Sequence, residues 1–456
     1  MADRLTPLDA SFLFMEELTT AMHVGGLMTF DAPAGWDPDA FVALIGERLA
    51  SVPRYRQKVR EVPAHLGLPV WVDDPDFELD YHVRRSALPA PGSMEQLRTL
   101  TGRLVSRQLD RARPLWEIYV IEGLESGGFA IVTKTHHAMV DGLSSVDIGA
   151  VLLDRTPMPR TSPPDEWSPA REPSAVGLVA GAVAEQLRRP RTAWGTVSRA
   201  VSDVRTLAGT GVAMVSAARS ASRTAPPHPL NAAIGQHRRY GTSSGLVDEY
   251  RAIRKQHGGT VNDVVLAVVT GGLRRWLHSR GEPVLDGTVV RALVPVSVRA
   301  RGAGAGGNQI SAFIVDLPVG EPDPVTRLRT ISAAMVAHKG SGQAVGASAL
   351  MGLVGLTPPT LHGLASRQAS SMSSRMFNVV VTNVPGPQFP LYAMGARMLT
   401  MYPVVPLAKG QAVSIGITSY DGGVFYGLNA DRDAMGDVDV LAAAIGEALE
   451  ELRGTL

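Results

Sequence analysis

Two mixed α/β units joined by a helical linker are the architecture that this sequence predicts. Its 456 residues exceed what one folding unit holds at ~150 residues each. Strand-like and helix-like stretches alternate both before and after the middle of the chain, and the stretch between residues 156 and 230 is fenced by prolines at each end. A composition of 45% hydrophobic residues, with 44 Lys+Arg against 43 Asp+Glu and a net charge of +1, supplies a core and excludes a disordered chain. It also argues against a nucleic-acid partner, whose phosphates call for an excess of cations. Cysteine is absent, so disulfides, thiolate metal sites and a cysteine-bound acyl intermediate are excluded, and a reducing compartment fits. The first residues carry an acid and no apolar run, and nowhere do about 18 apolar residues follow one another. A cytoplasmic protein without a leader or a spanning helix is expected.

In the first unit, Ser93-x-x-Gln96 is a capping box, and Leu97, Leu100, Leu104 and Val105 share one face of the helix it opens. Residues 116–121 alternate as a half-buried strand, and residues 129–135 are β-rich and end at two histidines. The linker opens with Pro157, Pro159 and Pro163 and closes with Pro226, Pro227 and Pro229, so both its edges must be extended. Between them, residues 176–187 and 194–215 carry helical spacing, with seven arginines facing only Glu185 and Asp203 between residues 185 and 223. An amphipathic strap on the body of the protein is one reading; contact with an anionic membrane surface is the other. Beyond the linker, Thr260-x-x-Asp263 opens a helix with Val261, Val265, Val268 and Trp276 in register. Strands are expected at 289–298, 310–317 and 377–382. Residues 411–420 and 424–429 form a hairpin turning at Asp421-Gly422-Gly423, and residues 437–452 make a last amphipathic helix. The units are therefore 1–155, a linker 156–230, and 231–456.

The chemistry-bearing segment is Thr133-Lys134-Thr135-His136-His137-Ala138-Met139-Val140-Asp141-Gly142. A strand runs into two histidines, a short loop, an Asp-Gly turn and a helix starting near Leu143. Successive side chains at a strand end point to opposite sides, so one imidazole faces any given cavity while the other packs. A neutral imidazole with a pKa near 6.5 can take the proton of a hydroxyl as its oxygen attacks a carbonyl, typically a gain of about 10²- to 10⁴-fold. Asp141 is placed to fix the turn or the ring, and Gly142 supplies backbone freedom. Adjacent histidines on opposite faces chelate poorly and no third ligand accompanies them, which argues against a metal. Two other strings compete. Gly241-Thr242-Ser243-Ser244-Gly245 spells the hydrolase elbow G-x-S-x-G, which would make Ser243 an esterase nucleophile; the residues before it are not an apolar strand, so it reads as a loop leading into a helix near Leu246. Gly302-x-Gly304-x-x-Gly307 spells a dinucleotide fingerprint, but a strand follows it where a helix is required.

The string His136-His137-x-x-x-Asp141-Gly142 resembles the signature of the CoA-dependent acyltransferase superfamily, which includes chloramphenicol acetyltransferase and peptide-synthetase condensation domains. Further segments carry the resemblance over nearly the whole chain: Pro7-Leu8-Asp9-Ala10-Ser11-Phe12, Met22-His23-Val24-Gly25-Gly26, Pro114-Leu115-Trp116-Glu117, Val261-Asn262-Asp263-Val264-Val265, Gly307-Asn308-Gln309 and Phe377 through Asn383-Val384-Pro385-Gly386-Pro387. Together they are similar to the bacterial wax ester synthase/diacylglycerol acyltransferase family. Ala21 stands where that family often has Pro, and Thr382 where it often has Ser. The resemblance implies two chloramphenicol-acetyltransferase-like lobes with mixed sheets, and a site in a tunnel between them. It implies transfer of a long-chain acyl group from acyl-CoA to diacylglycerol, giving triacylglycerol, or to a long-chain alcohol, giving a wax ester. Acyl-CoA is then a substrate, and no cofactor or metal is needed.

By the same resemblance His137 is the general base, His136 its packing neighbour, and Asp141 a structural anchor paired with an arginine. Asn262 and Asp263 match a block that supports the site, with helix capping by Asp263 an equal reading. Asn383, Pro385 and Gly386 shape a cavity loop or form an ordinary turn, since their backbone is not expected to stay in a sheet. Acylation of a polyketide or other lipid alcohol, and a non-catalytic lipid-binding protein of the same fold, are the alternatives. Peripheral attachment to the inner face of the plasma membrane or to lipid droplets accompanies the lipid substrates.

Overall fold

The computed structural model describes residues 3–140, 148–188, 224–298, 309–340 and 373–456, with the single positions Gly363, Ser366 and Ser370. The chain opens with β1 (Asp3–Arg4) and α1 (Pro7–Met15). Thr6 caps α1, its hydroxyl accepting from the Asp9 N–H at 3.1 Å, and Pro7 stands where no donor is needed. Then come β2 (His23–Asp31), α2 (Pro38–Arg48), β3 (Gln57–Arg60), β4 (Val70–Asp73), α3 (Leu79–His82), β5 (Val83–Ala87) and α4 (Met94–Val105), whose Ser93/Gln96 capping box forms as expected. β6 (Trp116–Glu122) and β7 (Phe129–His136) form a hairpin ending in α5 (His137–Val140), followed by α6 (Ile148–Leu152) and, in the linker, α7 (Ala175–Arg188).

The later chain holds β8 (Arg238–Leu246), β9 (Val290–Val298), β10 (Gln309–Leu317), β11 (Val379–Pro385), β12 (Tyr392–Ala393), β13 (Ala396–Val404), β14 (Val413–Tyr420) and β15 (Gly423–Asp431), with helices at Val247–His257, Val261–Ser279, Pro324–Gly340, Ser373–Met376 and Val438–Arg453. Two six-stranded sheets result, ordered β12-β13-β2-β7-β6-β5 and β10-β9-β11-β14-β15-β8, beside a three-stranded sheet β1-β4-β3. Both large sheets are mixed: β5 runs parallel to β6, and β11 parallel to β14 and β9, while β2, β6 and β7 pair antiparallel. Each sheet has its own core. Trp116, Phe30, Phe129 and Leu27 belong to one; Trp276, Ile415, Leu428 and Ile445 to the other.

The sheets do not follow a cut at residue 231. β13 lies in the first sheet, pairing with β2 from Arg397 opposite Asp31 to Val404 opposite Gly25. This strand supplies the edge of β2 with the backbone partners it would otherwise lack. The loan is tied back to the second sheet: the Tyr240 hydroxyl of β8 donates to the Pro403 carbonyl at 2.8 Å, and Gly427 of β15 comes so close that a Cβ there would stand 1.9 Å from that carbonyl oxygen.

Two expectations are corrected. Residues 238–246 are a strand, β8, paired with β15 from end to end, and not a loop. Its polar residues are tolerated because an edge strand keeps one side in solvent. Ser243 therefore sits in mid-strand opposite Tyr426, without the strand-to-helix elbow an esterase serine needs. Second, the backbone of Asn383, Val384 and Pro385 stays in the sheet, paired with Ile417, Thr418 and Ser419. β9 meets β11 only at Val379 and Val380, so Pro385 lacks no ladder partner on that side.

The first part of the linker lies against the small sheet. Leu178 and Ala182 of α7 pack on Val62, Val70 and Val72, and Arg56 forks onto Asp165 at 2.8 and 2.6 Å. The expected helix at 194–215 with its arginines, and the Gly302–Gly307 string, lie outside the described residues. Among the described residues no helix is long and apolar enough to cross a membrane. Gly427→Ala is expected to force Pro403 away from β15 and cost about 1–3 kcal/mol, read as a lower urea midpoint; an unchanged midpoint would show that the two sheets are not locked together there.

Candidate active site

The site is built on the end of β7, every residue of which is buried. β2 flanks it on one side, with His23 opposite His136, and β6 on the other. Gly25 allows this approach, since a Cβ there would stand 1.8 Å from the Thr133 carbonyl oxygen. Where the strand stops, the His136 N–H donates to the Leu115 carbonyl at 2.9 Å and the His137 N–H to the Met22 carbonyl at 2.8 Å. Segments far apart in sequence thus hold the two histidines by their backbone.

The two rings have opposite surroundings. His136 is 0% exposed, and its Nδ1 accepts the Ala138 N–H at 3.1 Å, which leaves the ring proton on Nε2. Burial, then the Arg111 and His137 charges, push its pKa down to about 3. His23, also buried, is held well below its ordinary pKa by burial first and then by Lys134 and His136. His137 opens α5, is only partly buried, and stacks on Phe12 of α1 with ring centroids 3.9 Å apart and planes 23° from parallel. Of the adjacent imidazoles it is the one that keeps some exposed surface while its ring is held by a stacking partner.

Asn262 and Asn383 are brought together, the Asn383 amide donating to Asn262 Oδ1 at 3.1 Å. This pair belongs to the second sheet and its helix, whereas the histidines belong to the first. Asp263 takes the capping role: its Oδ2 accepts from the Thr260 N–H at 2.8 Å and from the Ser332 hydroxyl at 3.2 Å. Pro385 sits opposite Ser419, and the Gly386 N–H donates to the Ser419 carbonyl at 3.0 Å, closing the strand. Asp141 and Gly142 lie outside the described residues, as do Gly307 and Asn308. Among the described residues no group of three or more His, Asp or Glu side chains is arranged to hold a metal ion.

Sequence reasoning passed over a buried polar set beneath β7. Lys134, fully buried, donates to Glu117 Oε2 at 3.0 Å and to the Arg107 carbonyl at 2.7 Å, while the Tyr119 hydroxyl donates to the same Glu117 oxygen at 2.8 Å. Burial lowers the Lys134 pKa and Glu117 opposes that shift. Glu117 and Lys134 face each other across β6 and β7, a pairing visible in sequence only once the register is known. Glu16 was missed as well; its side chain is 5% exposed and its Oε1 lies 3.8 Å from His136 Nε2.

Comparison with known proteins bears on the chain as a whole. Residues 5–265 match the wax ester synthase/diacylglycerol acyltransferase catalytic domain, and residues 306–453 the WS/DGAT C-terminal domain. Two curated relatives from Mycobacterium tuberculosis strain H37Rv, the probable diacylglycerol O-acyltransferases tgs1 and tgs2, are each 35% identical, over 460 and 472 residues, covering 99% of this chain and 96% and 98% of theirs. The solved wax ester synthase/diacylglycerol acyltransferase from Marinobacter aquaeolei VT8 is similar with a TM-score of 0.68 at 28% identity, covering 99% of both chains. The first condensation domain of the CDA synthetase, 15% identical, shares the two-lobed fold with a TM-score of 0.59 over 99% of this chain and 96% of that one.

The state of His136 carries a stability consequence. Unfolded, the ring binds a proton below its usual 6.5; folded, it does not until about 3. Stability is therefore lost as pH falls through 6.5 toward 3, by about 2 kcal/mol between pH 7 and pH 5 from this ring alone. His136→Asn is expected to flatten that slope in urea unfolding at pH 5, 6 and 7. Identical slopes in variant and parent would mean that the folded protein already protonates His136.

Proposed function

The chain belongs to the wax ester synthase/diacylglycerol acyltransferase family, and on that footing we propose that it transfers a long-chain acyl group from acyl-CoA to the hydroxyl of diacylglycerol, or of a long-chain alcohol, with His137 as general base. The observation that carries the role of His137 is the contrast between the two rings: His136 is sealed and kept neutral, while His137 is half-buried, stacked on Phe12 and hydrogen-bonded through its backbone. The acceptor hydroxyl gives its proton to the His137 imidazole as its oxygen attacks the thioester carbonyl. The tetrahedral intermediate then collapses, the carbon–sulfur bond breaks, and the imidazolium returns the proton to the departing thiolate. The products are an ester and free CoA, and the base is regenerated.

Nothing in this sequence of steps needs a covalent enzyme intermediate, which suits a chain without cysteine whose Ser243 lies within a sheet. Water must be kept from the thioester, because a base able to activate an alcohol also activates water. The Asn262–Asn383 bridge supports the site from the second sheet. The acceptor lipids dissolve poorly in water, so the protein works in the cytoplasm with a peripheral contact on a membrane or lipid droplet. His137→Ala is expected to lower ester formation from acyl-CoA and diacylglycerol or hexadecanol by about 10²- to 10⁴-fold, followed as lipid product and released CoA. A folded variant with unchanged turnover would remove His137 as the base, and turnover with a polyketide alcohol alone would reassign the acceptor.

A further inference from the structure

We propose that Glu16 is a positioning residue for His137, acting through the backbone of Met22 and itself clamped by Arg111; this rests on His137 being the base. Glu16 directly follows the last residue of α1. Its Oε1 accepts the Met22 N–H at 3.1 Å, and the Met22 carbonyl accepts the His137 N–H at 2.8 Å. The two peptide groups on either side of the Met22 Cα thus relay the carboxylate's position to the backbone of the base. The same Oε1 lies 3.8 Å from Nε2 of His136, the nitrogen left with the ring proton once Nδ1 accepts from Ala138. The negative oxygen attracts that N–H and favours the tautomer that leaves Nδ1 free to hold the turn.

The carboxylate is itself fixed. Its Oε2 receives Nε and Nη2 of Arg111 at 3.0 and 2.9 Å, a two-pronged grip that a lysine could not reproduce. Nη2 of Arg111 also donates to the Leu13 carbonyl in the last turn of α1, the helix whose Phe12 covers a face of the His137 ring. Three restraints on the base therefore converge on one ion pair: its backbone N–H, the tautomer of its neighbour and the seat of its stacking partner. Helix stability does not account for Glu16, since an acid at a helix C-terminus opposes the dipole. Nor does solvation, since the side chain is 5% exposed and a buried charge is costly unless paired.

The test uses the full-length chain, with kcat and KM measured per folded molecule, unfolding midpoints recorded, and His137→Ala assayed alongside. Glu16→Ala is expected to lower kcat by about 10-fold or more, as a displaced catalytic group does, with KM for acyl-CoA and acceptor within about twofold of the parent. Glu16→Gln keeps an oxygen for the Met22 N–H and is expected to recover to within about threefold of the parent. A purely structural role would lower the midpoint and the folded fraction while leaving kcat per folded molecule unchanged. That result, or a Gln variant no better than Ala, overturns the proposal. Should Glu16→Ala not fold, Arg111→Lys decides: a fall in kcat of about threefold or more at constant KM supports the clamp, and an unchanged kcat overturns it. If His137→Ala is inactive while Glu16→Ala and Arg111→Lys keep the parent kcat, only this inference fails; if His137→Ala remains active, the reading of the base fails and takes this inference with it.

Discussion

The ladder between β2 and β7 is the constraint on which the site depends. It sets His23 opposite His136, and the chain just before it offers the Met22 carbonyl to the His137 N–H. A strand presents consecutive side chains to opposite sides only while its backbone stays paired, and a slip of one residue would exchange the sealed ring for the half-buried one. Gly25 permits the close approach, β13 covers the outer edge of β2, and β6 covers the far side of β7. The precision of one imidazole is therefore spread over four strands, two of which contribute no chemical group to it.

Around this ladder lie polar groups that burial makes expensive. A neutral ring is the cheapest form of a buried histidine, and for His136 the geometry favours that form, since Nδ1 already accepts a backbone N–H. Lys134 is treated differently: Glu117 and a carbonyl share its ammonium, so the charge is kept but paired. One strand thus carries a cation held by its partners and, two residues on, an imidazole kept from becoming one. The two solutions are linked, because Lys134 is among the charges that hold His23 neutral.

Much of this was written locally in the sequence. The capping boxes at Ser93 and Thr260 name their own partners. Asp421 and Gly422 both take positive φ, 43° and 83°, as the tight turn read from Asp-Gly requires. The paired histidines, the Phe12 segment and the Asn262 and Asn383 blocks could be picked out because each is a short string. What escaped had no local signature. β8 hid behind polar residues because an edge strand draws its stability from backbone pairing. β13 is not among the strands expected from the sequence, and nothing local says which sheet receives it. Glu16, Met22, Arg111 and His137 meet only after three segments converge, so no spacing could have announced them.

The convergence also ties the second half to the histidines, although they lie on the first. The loop between α1 and β2, which carries Glu16 and Met22, is gripped from each side. Gln108 of the first half donates to the Glu17 carbonyl at 2.7 Å, and Arg111 holds Glu16. From the second half, Lys409 places its ammonium 2.8 Å from both Glu17 oxygens, and Arg238 of β8 donates to the Thr19 carbonyl. A shift of the second sheet would be felt in this loop first, and through the Met22 carbonyl at His137. The second sheet thus helps set the position of His137, a residue it does not contain.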